Sequence, residues 1–286
     1  MSRRHILKLF LGGSAATVAA CSPLTLLNGV TPSATYQARP GMPYGGHPRQ
    51  RYDVYLPVAM PAKAPVVVFF YGGNWDSGDR ADYAFVGEAL ASRGCIAVIP
   101  DYRLYPEVGY PGFLADCALA VHDVIGKAAA WGGDLSRLYL SGHSAGAYNA
   151  AMLALNPAYL RSAGVAPGQI RGWIGLAGPY DFLPLRSDLT RAIFGYPDTP
   201  VTTQPIHFAS SAAPPALLIT GADDTVVDPG NSTRLAQRLN AAGAHARTIV
   251  YPGVGHAALV GAMSRPLRGL APVLDDVTSF IGARTE

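Results

Sequence analysis

The chain of 286 residues has only three cysteines, and only 14% of its residues are charged. Cys21, Cys95 and Cys117 are too few and too scattered for a disulfide scaffold. Neither they nor the seven histidines fall at metal-ligand spacing, so no metal or other cofactor is expected. Cys95 heads an apolar run and Cys117 lies in a helical pattern, and both read as small buried hydrophobes. With 49% hydrophobic residues, so little charge excludes a disordered chain and leaves room for a large core. Basic clusters are missing as well. The formal net charge of +3 comes from Arg3, Arg4 and Lys8, in a stretch of twenty residues with no Asp or Glu; without them the basic residues equal the 19 acidic ones. A neutral body without a basic patch has no electrostatic footprint for nucleic acid, and a small neutral partner fits it better.

The N-terminus reads as an address. Met1 to Lys8 is a charged opening, and the apolar, small-residue run Leu9 to Ala20 is too short to span a bilayer, so residues 1–20 are expected to be an export signal. Ser2-Arg3-Arg4-His5-Ile6-Leu7-Lys8 resembles the bacterial twin-arginine signal, with an ordinary Sec signal as the alternative. Val18-Ala19-Ala20-Cys21 is similar to a lipoprotein box, which implies lipidation at Cys21 and an anchor on the periplasmic face of a bacterial membrane. The bland alternative is an incidental cysteine near a cleavage site. Residues 21–47, rich in Pro, Thr, Gly and Ala, are expected to be a tether, and residues 48–286 a single catalytic domain.

Within that domain Arg51 to Leu56 alternates polar and apolar residues, as an edge strand does. Continuous apolar runs follow at Pro65 to Tyr71, Ile96 to Pro100, Leu138 to Ser141, Ile174 to Leu176, Ala216 to Thr220 and Arg247 to Tyr251. Such runs suit parallel strands buried on both faces. Helical patterns lie between and after them, at Asp82 to Ser92, Gly112 to Ala130, Ala145 to Leu155, Asn231 to Ala242 and Leu267 to Ala283. The alternation predicts an α/β fold with a mostly parallel central sheet and helices on both faces, in which ligands bind beyond the carboxyl ends of the strands. Phe182 to Ala213 breaks the rhythm with four prolines and one weak helical patch, Asp188 to Phe194, and reads as a small insertion over the site.

The residues just past each apolar run carry the chemistry. Gly142-His143-Ser144-Ala145-Gly146 joins a strand to a helix, the setting in which a strained turn presents a nucleophilic serine. At the helix N-terminus the N–H of Ala145 points where negative charge would develop. Tyr71-Gly72-Gly73-Asn74-Trp75 follows another core strand and places the N–H groups of Gly73 and Asn74 to complete an oxyanion hole. In Gly221-Ala222-Asp223-Asp224, Asp224 is the first choice for the acid, with Asp223 and Asp228 as alternatives that could merely cap the next helix. His256, on a glycine-rich loop after the last strand, is the base. His143 is expected to pack beside the nucleophile, and His47, His122, His207 and His245 to be structural. The chain order Ser144, Asp224, His256 is the one this fold imposes on its triad.

On these segments, together with Asp101-Tyr102-Arg103-Leu104-Tyr105-Pro106-Glu107, the chain resembles the α/β-hydrolase superfamily over about residues 48–284. The likeness is to its esterase branch, hormone-sensitive-lipase-like and kynurenine-formamidase-like. The resemblance implies hydrolysis of small or medium neutral carboxylic esters through an acyl-enzyme, with an arylformamidase or amidase on the same triad as the alternative. A reading from another class is an inactive hydrolase-fold surface lipoprotein that binds a ligand or partner; intact Ser144, Asp224 and His256 argue against it. The family's glycine segment usually begins with His, where this chain has Tyr71, so the bracing of that loop must differ. Asp101 and Arg103 are expected to pair within the domain, and Trp75 and Tyr180 to line the substrate pocket.

Overall fold

A computed structural model describes residues 23–282. The export signal read over residues 1–20, and Cys21, lie outside the described residues. The strands are β1 (Tyr36–Pro43), β2 (Arg51–Pro57), β3 (Ala64–Phe70), β4 (Ile96–Pro100), β5 (Gly133–His143), β6 (Gly172–Leu176), β7 (Ala216–Gly221) and β8 (Ala246–Tyr251). They form one sheet in the order β1-β2-β4-β3-β5-β6-β7-β8. From β4 to β8 every pairing is parallel, and β2 is antiparallel to both of its neighbours. The helices are α1 (Pro23–Gly29), α2 (Ala84–Ser92), α3 (Gly112–Lys127), α4 (Ala145–Leu155), α5 (Pro157–Ser162), α6 (Asp188–Phe194), α7 (Gly230–Ala241), α8 (His256–Gly261) and α9 (Val273–Ile281). This is the mostly parallel α/β sheet expected from the alternating pattern, and it has the α/β-hydrolase architecture that the resemblance implies.

The apolar runs become strands because both of their faces are covered. Every residue of β3, β4, β6 and β7 is buried, which only apolar side chains tolerate on both sides of a sheet. In the edge strand β8 no residue is fully buried. Connections run from β3 to β4 on one side and then to β5 on the other. The order therefore reverses beside β3, and the carboxyl ends of β3 and β5 flank a switch point where such sheets bind ligands.

Two expectations about the N-terminal part are corrected. Residues 23–47 do not form a free tether. Helix α1 is pinned by Asn28, whose Nδ2 donates to the Ala81 carbonyl at 2.6 Å and whose Oδ1 accepts the Phe85 N–H at 3.2 Å. Strand β1 pairs with β2 through a bulge between Arg39 and Met42, so β2 is internal and β1 is the edge. Pro40, Gly41 and Pro43 hide the strand from a pattern reading, yet an edge tolerates them because one side of its backbone needs no partner.

The C-terminal helical pattern is also shorter than expected. Pro272 stands at the entrance to α9, and before it the chain makes only a single 3-10 turn, Arg265–Leu267, followed by non-helical turns. Cys95 and Cys117 are free and buried, and burial raises both thiols, that of Cys95 to about 12.

Candidate active site

The turn between β5 and α4 is built for one residue. Ser144 sits at φ 55° and ψ −123°, a conformation that costs a non-glycine residue on the order of 1–3 kcal/mol and persists only under constraint. The constraint comes from the sheet and from two glycines. Ser144 N–H donates to the Leu176 carbonyl at 2.9 Å. A Cβ on Gly146 would stand 2.0 Å from the Phe70 carbonyl oxygen, and one on Gly142 would stand 2.3 Å from Gly146 backbone atoms, so neither position admits a side chain. Ala145 opens α4, and the first helical bonds run from Ala147 and Tyr148 back to Ser144. Its own N–H therefore has no acceptor within the helix.

The second loop leaves β3 in a run of left-handed residues: Gly73 at φ 129°, Asn74 at 51° and Trp75 at 62°. Asn74 and Ala145 border the same cavity as Ser144, whereas Gly73 does not line it, and its carbonyl accepts from the Asp76 and Ser77 N–H groups and the Ser77 hydroxyl. Tyr71 takes over the bracing that a histidine gives elsewhere. Its hydroxyl donates to Asp101 Oδ1 at 2.8 Å and accepts from Arg49 Nη2 at 2.7 Å, and its ring stacks between Tyr83 and Tyr102. Asp101 also pairs with Arg80, which bridges to Asp53 at 2.8 Å. Arg103 forks onto Asp116 with two 2.8 Å contacts. Both charges of the Asp101-Tyr102-Arg103 segment are thus used inside the domain.

His256 is the first residue of α8 rather than part of a free loop, and Gly255 stands at the N-cap before it. Its Nδ1–H donates to Asp224 Oδ2 at 2.7 Å, with the carboxylate side chain fully buried and the imidazole 14% exposed. The other carboxylate oxygen accepts the N–H groups of Val226 and Val227, each at 2.9 Å. Of the three candidate carboxylates only Asp224 meets the imidazole. Asp223 is exposed, and Asp228 accepts the Gly230 N–H and pairs with Arg234 at 3.0 Å. The bond to Nδ1 fixes the tautomer and leaves Nε2 as a proton acceptor.

His143 does more than pack beside the serine. Its Nε2–H donates to the His256 carbonyl at 3.1 Å, and the two rings lie 4.7 Å apart. Burial, reinforced by the neighbouring imidazole, pushes the His143 pKa down to about 3. Between that value and the ordinary 6.5 of an unfolded histidine, only the unfolded chain takes up the proton, so folding stability must fall as pH drops through this window. Urea unfolding at pH 7 and pH 4.5 is expected to show wild type losing on the order of 2 kcal/mol more than His143→Gln. Equal losses would refute neutral burial of His143.

Ser144, Asn74, Trp75 and Ala145 open onto a cavity of about 760 Å³ whose far wall is the insertion from Phe182 to Thr190 and the start of α7. Trp75 is buried among Phe113, Tyr148, Phe182 and Phe194, and its indole N–H donates to Asn149 Oδ1 at 3.0 Å. Tyr180 is corrected from pocket to core. It packs edge-on to Trp173 at 6.0 Å against the backbone of Gly175 and Gly178, and it does not border the cavity. Asn149 and Arg234 escaped the sequence reading. Asn149 leaves a signal, a lone amide on an otherwise apolar helix; Arg234 leaves none, because its partners Asp181 and Asp228 come from separate segments.

Comparison with known proteins agrees with this architecture. The isoprenylcysteine alpha-carbonyl methylesterase ICME of Arabidopsis thaliana is 33% identical over 269 residues, 86% of this chain and 62% of that protein. The kynurenine formamidase of Salmo salar is 32% identical over 146 residues, 51% of this chain and 47% of that protein. The chain spans less than two thirds of the length of the curated relatives it matches. Among solved structures, a truncated carbohydrate esterase from gut microbiota superposes with a TM-score of 0.77 at 21% identity, covering 88% of this chain and 98% of that one, a likeness of fold. The profile of the BD-FAE family matches residues 52–239, from β2 into α7 across the elbow and the Asp224 loop, and on that match the chain belongs to the BD-FAE family.

Proposed function

We propose that this protein is a serine esterase that cleaves carboxylic esters of small or medium size through an acyl-enzyme. The observation that carries the reading is the strained Ser144 at the head of α4 on the same sheet end as the His256–Asp224 pair, bonded at 2.7 Å. In the first step Ser144 Oγ adds to the ester carbonyl while His256 Nε2 takes its proton, and the N–H groups of Ala145 and the Asn74 loop receive the oxyanion. The imidazolium then gives that proton to the leaving alkoxide as the C–O bond breaks. Water, activated by the same imidazole, releases the acid and restores Ser144. A cavity of about 760 Å³ suits acyl and alcohol groups of modest size. Support also comes from the esterase named among the relatives. A series of 4-nitrophenyl esters from acetate to octanoate, with labelling by a fluorophosphonate, tests the reading. Turnover and a single adduct mapped to Ser144 are expected; an unlabelled Ser144 without turnover would sink it.

Formamide hydrolysis on the same residues is the second reading, favoured by the likeness to a kynurenine formamidase. N-formylkynurenine in the same panel decides between them through its kcat/KM relative to the best ester. Export and lipidation at Cys21 remain proposals that rest on Arg3, Arg4 and the Val18-Ala19-Ala20-Cys21 segment. In a bacterial host, Cys21→Ser is expected to move the protein from the membrane fraction to the soluble one; unchanged fractionation would exclude this cysteine as the anchor.

A further inference from the structure

The far wall of the cavity carries four charged side chains, Asp181, Arg186, Asp228 and Arg234. Three of them are consumed by one another. Arg234 donates through Nε to Asp181 Oδ2 at 2.7 Å, through Nη2 to the Asp181 carbonyl at 3.1 Å and through Nη1 to Asp228 Oδ2 at 3.0 Å. Asp228 Oδ1 is taken by the Gly230 N–H at 2.9 Å. Asn231, on the same wall, is spent too: its Oδ1 accepts from Tyr180 and Asp181 N–H and its Nδ2 donates to the Asp228 carbonyl.

Arg186 differs. It borders the cavity, yet it makes no hydrogen bond or ion pair among the described residues. It is near enough to Asp228 to help hold that carboxyl below the ordinary range, but the Gly230 N–H and Arg234 do most of this. The backbone that carries Arg186 is held on both sides. Leu185 is buried and its carbonyl accepts Arg191 Nε–H at 3.2 Å, while Ser187 Oγ caps α6 by accepting the Thr190 N–H at 3.2 Å. From this held backbone the exposed Arg186 side chain presents a guanidinium with five donors in a planar fork that matches a carboxylate. Asp181 and Asp228 are both paired with Arg234, so the one charged side chain of this wall without an ion pair among the described residues is a donor, and the group that suits it is an anionic acceptor.

We propose that Arg186 selects esters that carry a free carboxylate away from the scissile bond. This deepens the esterase reading and rests on it. The neutral substrate expected from overall charge is thereby narrowed: the body of the protein is neutral, but the unpaired charge in the cavity that Ser144 borders is positive.

Two pairs of probes that differ in charge and little in shape test the proposal. The carboxylate is on the leaving alcohol in 4-acetoxybenzoate against 4-acetoxybenzamide, and on the acyl side in monoethyl adipate against its monoamide, ethyl adipamate. The readout is the ratio of kcat/KM for the acid to that for the amide, in which general damage to the site cancels. A charge-assisted contact corresponds to roughly a tenfold change. In at least one pair, Arg186→Gln is expected to lower the ratio about tenfold and Arg186→Glu to lower it further. The same ratio in all three proteins for both pairs, with 4-nitrophenyl acetate still hydrolysed, overturns the carboxylate selection and leaves the esterase reading standing. No turnover of any ester, 4-nitrophenyl acetate included, overturns the esterase reading and this specificity with it.

Discussion

Ser144→Ala is expected to lower kcat/KM for 4-nitrophenyl esters by on the order of 10⁵–10⁶-fold. The size follows from what is left behind. Two other hydroxyls, Ser187 and Thr190, border the cavity, but they bond to each other at 2.9 Å on the insertion. Neither has the left-handed backbone that lifts Ser144 out of the sheet. Residual activity should come from the oxyanion donors and from substrate binding, which together hold about 10³–10⁴ over water in enzymes of this kind. Stability should change little, since alanine inherits the same backbone and the Ser144 N–H still meets the Leu176 carbonyl. Steady-state rates beside a thermal melt check both halves; a loss under tenfold with an unchanged melt would remove Ser144 from the chemistry.

Much of the site could be read from the chain because its parts are local. Gly142 is required by backbone contacts within its own turn and Gly146 by the close approach of the Phe70 carbonyl at the end of β3, while the apolar runs before Gly72, Gly142 and Gly221 announce strands buried on both faces. What stayed hidden depends on contacts between distant segments. Strand β1 is held by its pairing with β2, against its own prolines and glycine. Tyr180, an aromatic beside a loop, is expected from sequence to line the pocket, but the Asn231 amide oxygen holds the Tyr180 and Asp181 N–H groups, and the ring is buried in the core. His256 reads as a loop residue after Gly253 and Gly255, yet Ala257-Ala258-Leu259 lets a helix start at the histidine itself. Trp75 holds its left-handed backbone with help from Asn149, 74 residues away, a pairing no spacing rule announces.

The carboxylate behind His256 is where sequence left three choices and geometry leaves one. Asp224→Asn is expected to lower kcat by about 10³–10⁴-fold. Asp224 accepts from three N–H groups, His256 Nδ1 on one oxygen and Val226 and Val227 on the other. An asparagine offers one oxygen and one donor nitrogen, so it cannot serve both sides. If its oxygen stays with the two backbone N–H groups, its amide donates to His256 Nδ1 and drives the imidazole proton onto Nε2, the atom that must take the Ser144 proton. If it turns over, the amide faces two backbone donors, and a buried turn loses its acceptor at about 1–3 kcal/mol. Either way the base is lost or displaced. Asp223→Asn, on an exposed side chain, should stay within about twofold of wild type. Asp228→Asn loosens the hold of Arg234 on the cavity wall and should act mainly on KM. Single-turnover kinetics across pH separate these outcomes, because a wrong tautomer lowers the acylation rate at every pH, whereas a wall defect is recovered at saturating ester. A loss with Asp223→Asn as large as that with Asp224→Asn would mean that the carboxylate bonded to His256 in the structure is not the one that supports it in catalysis.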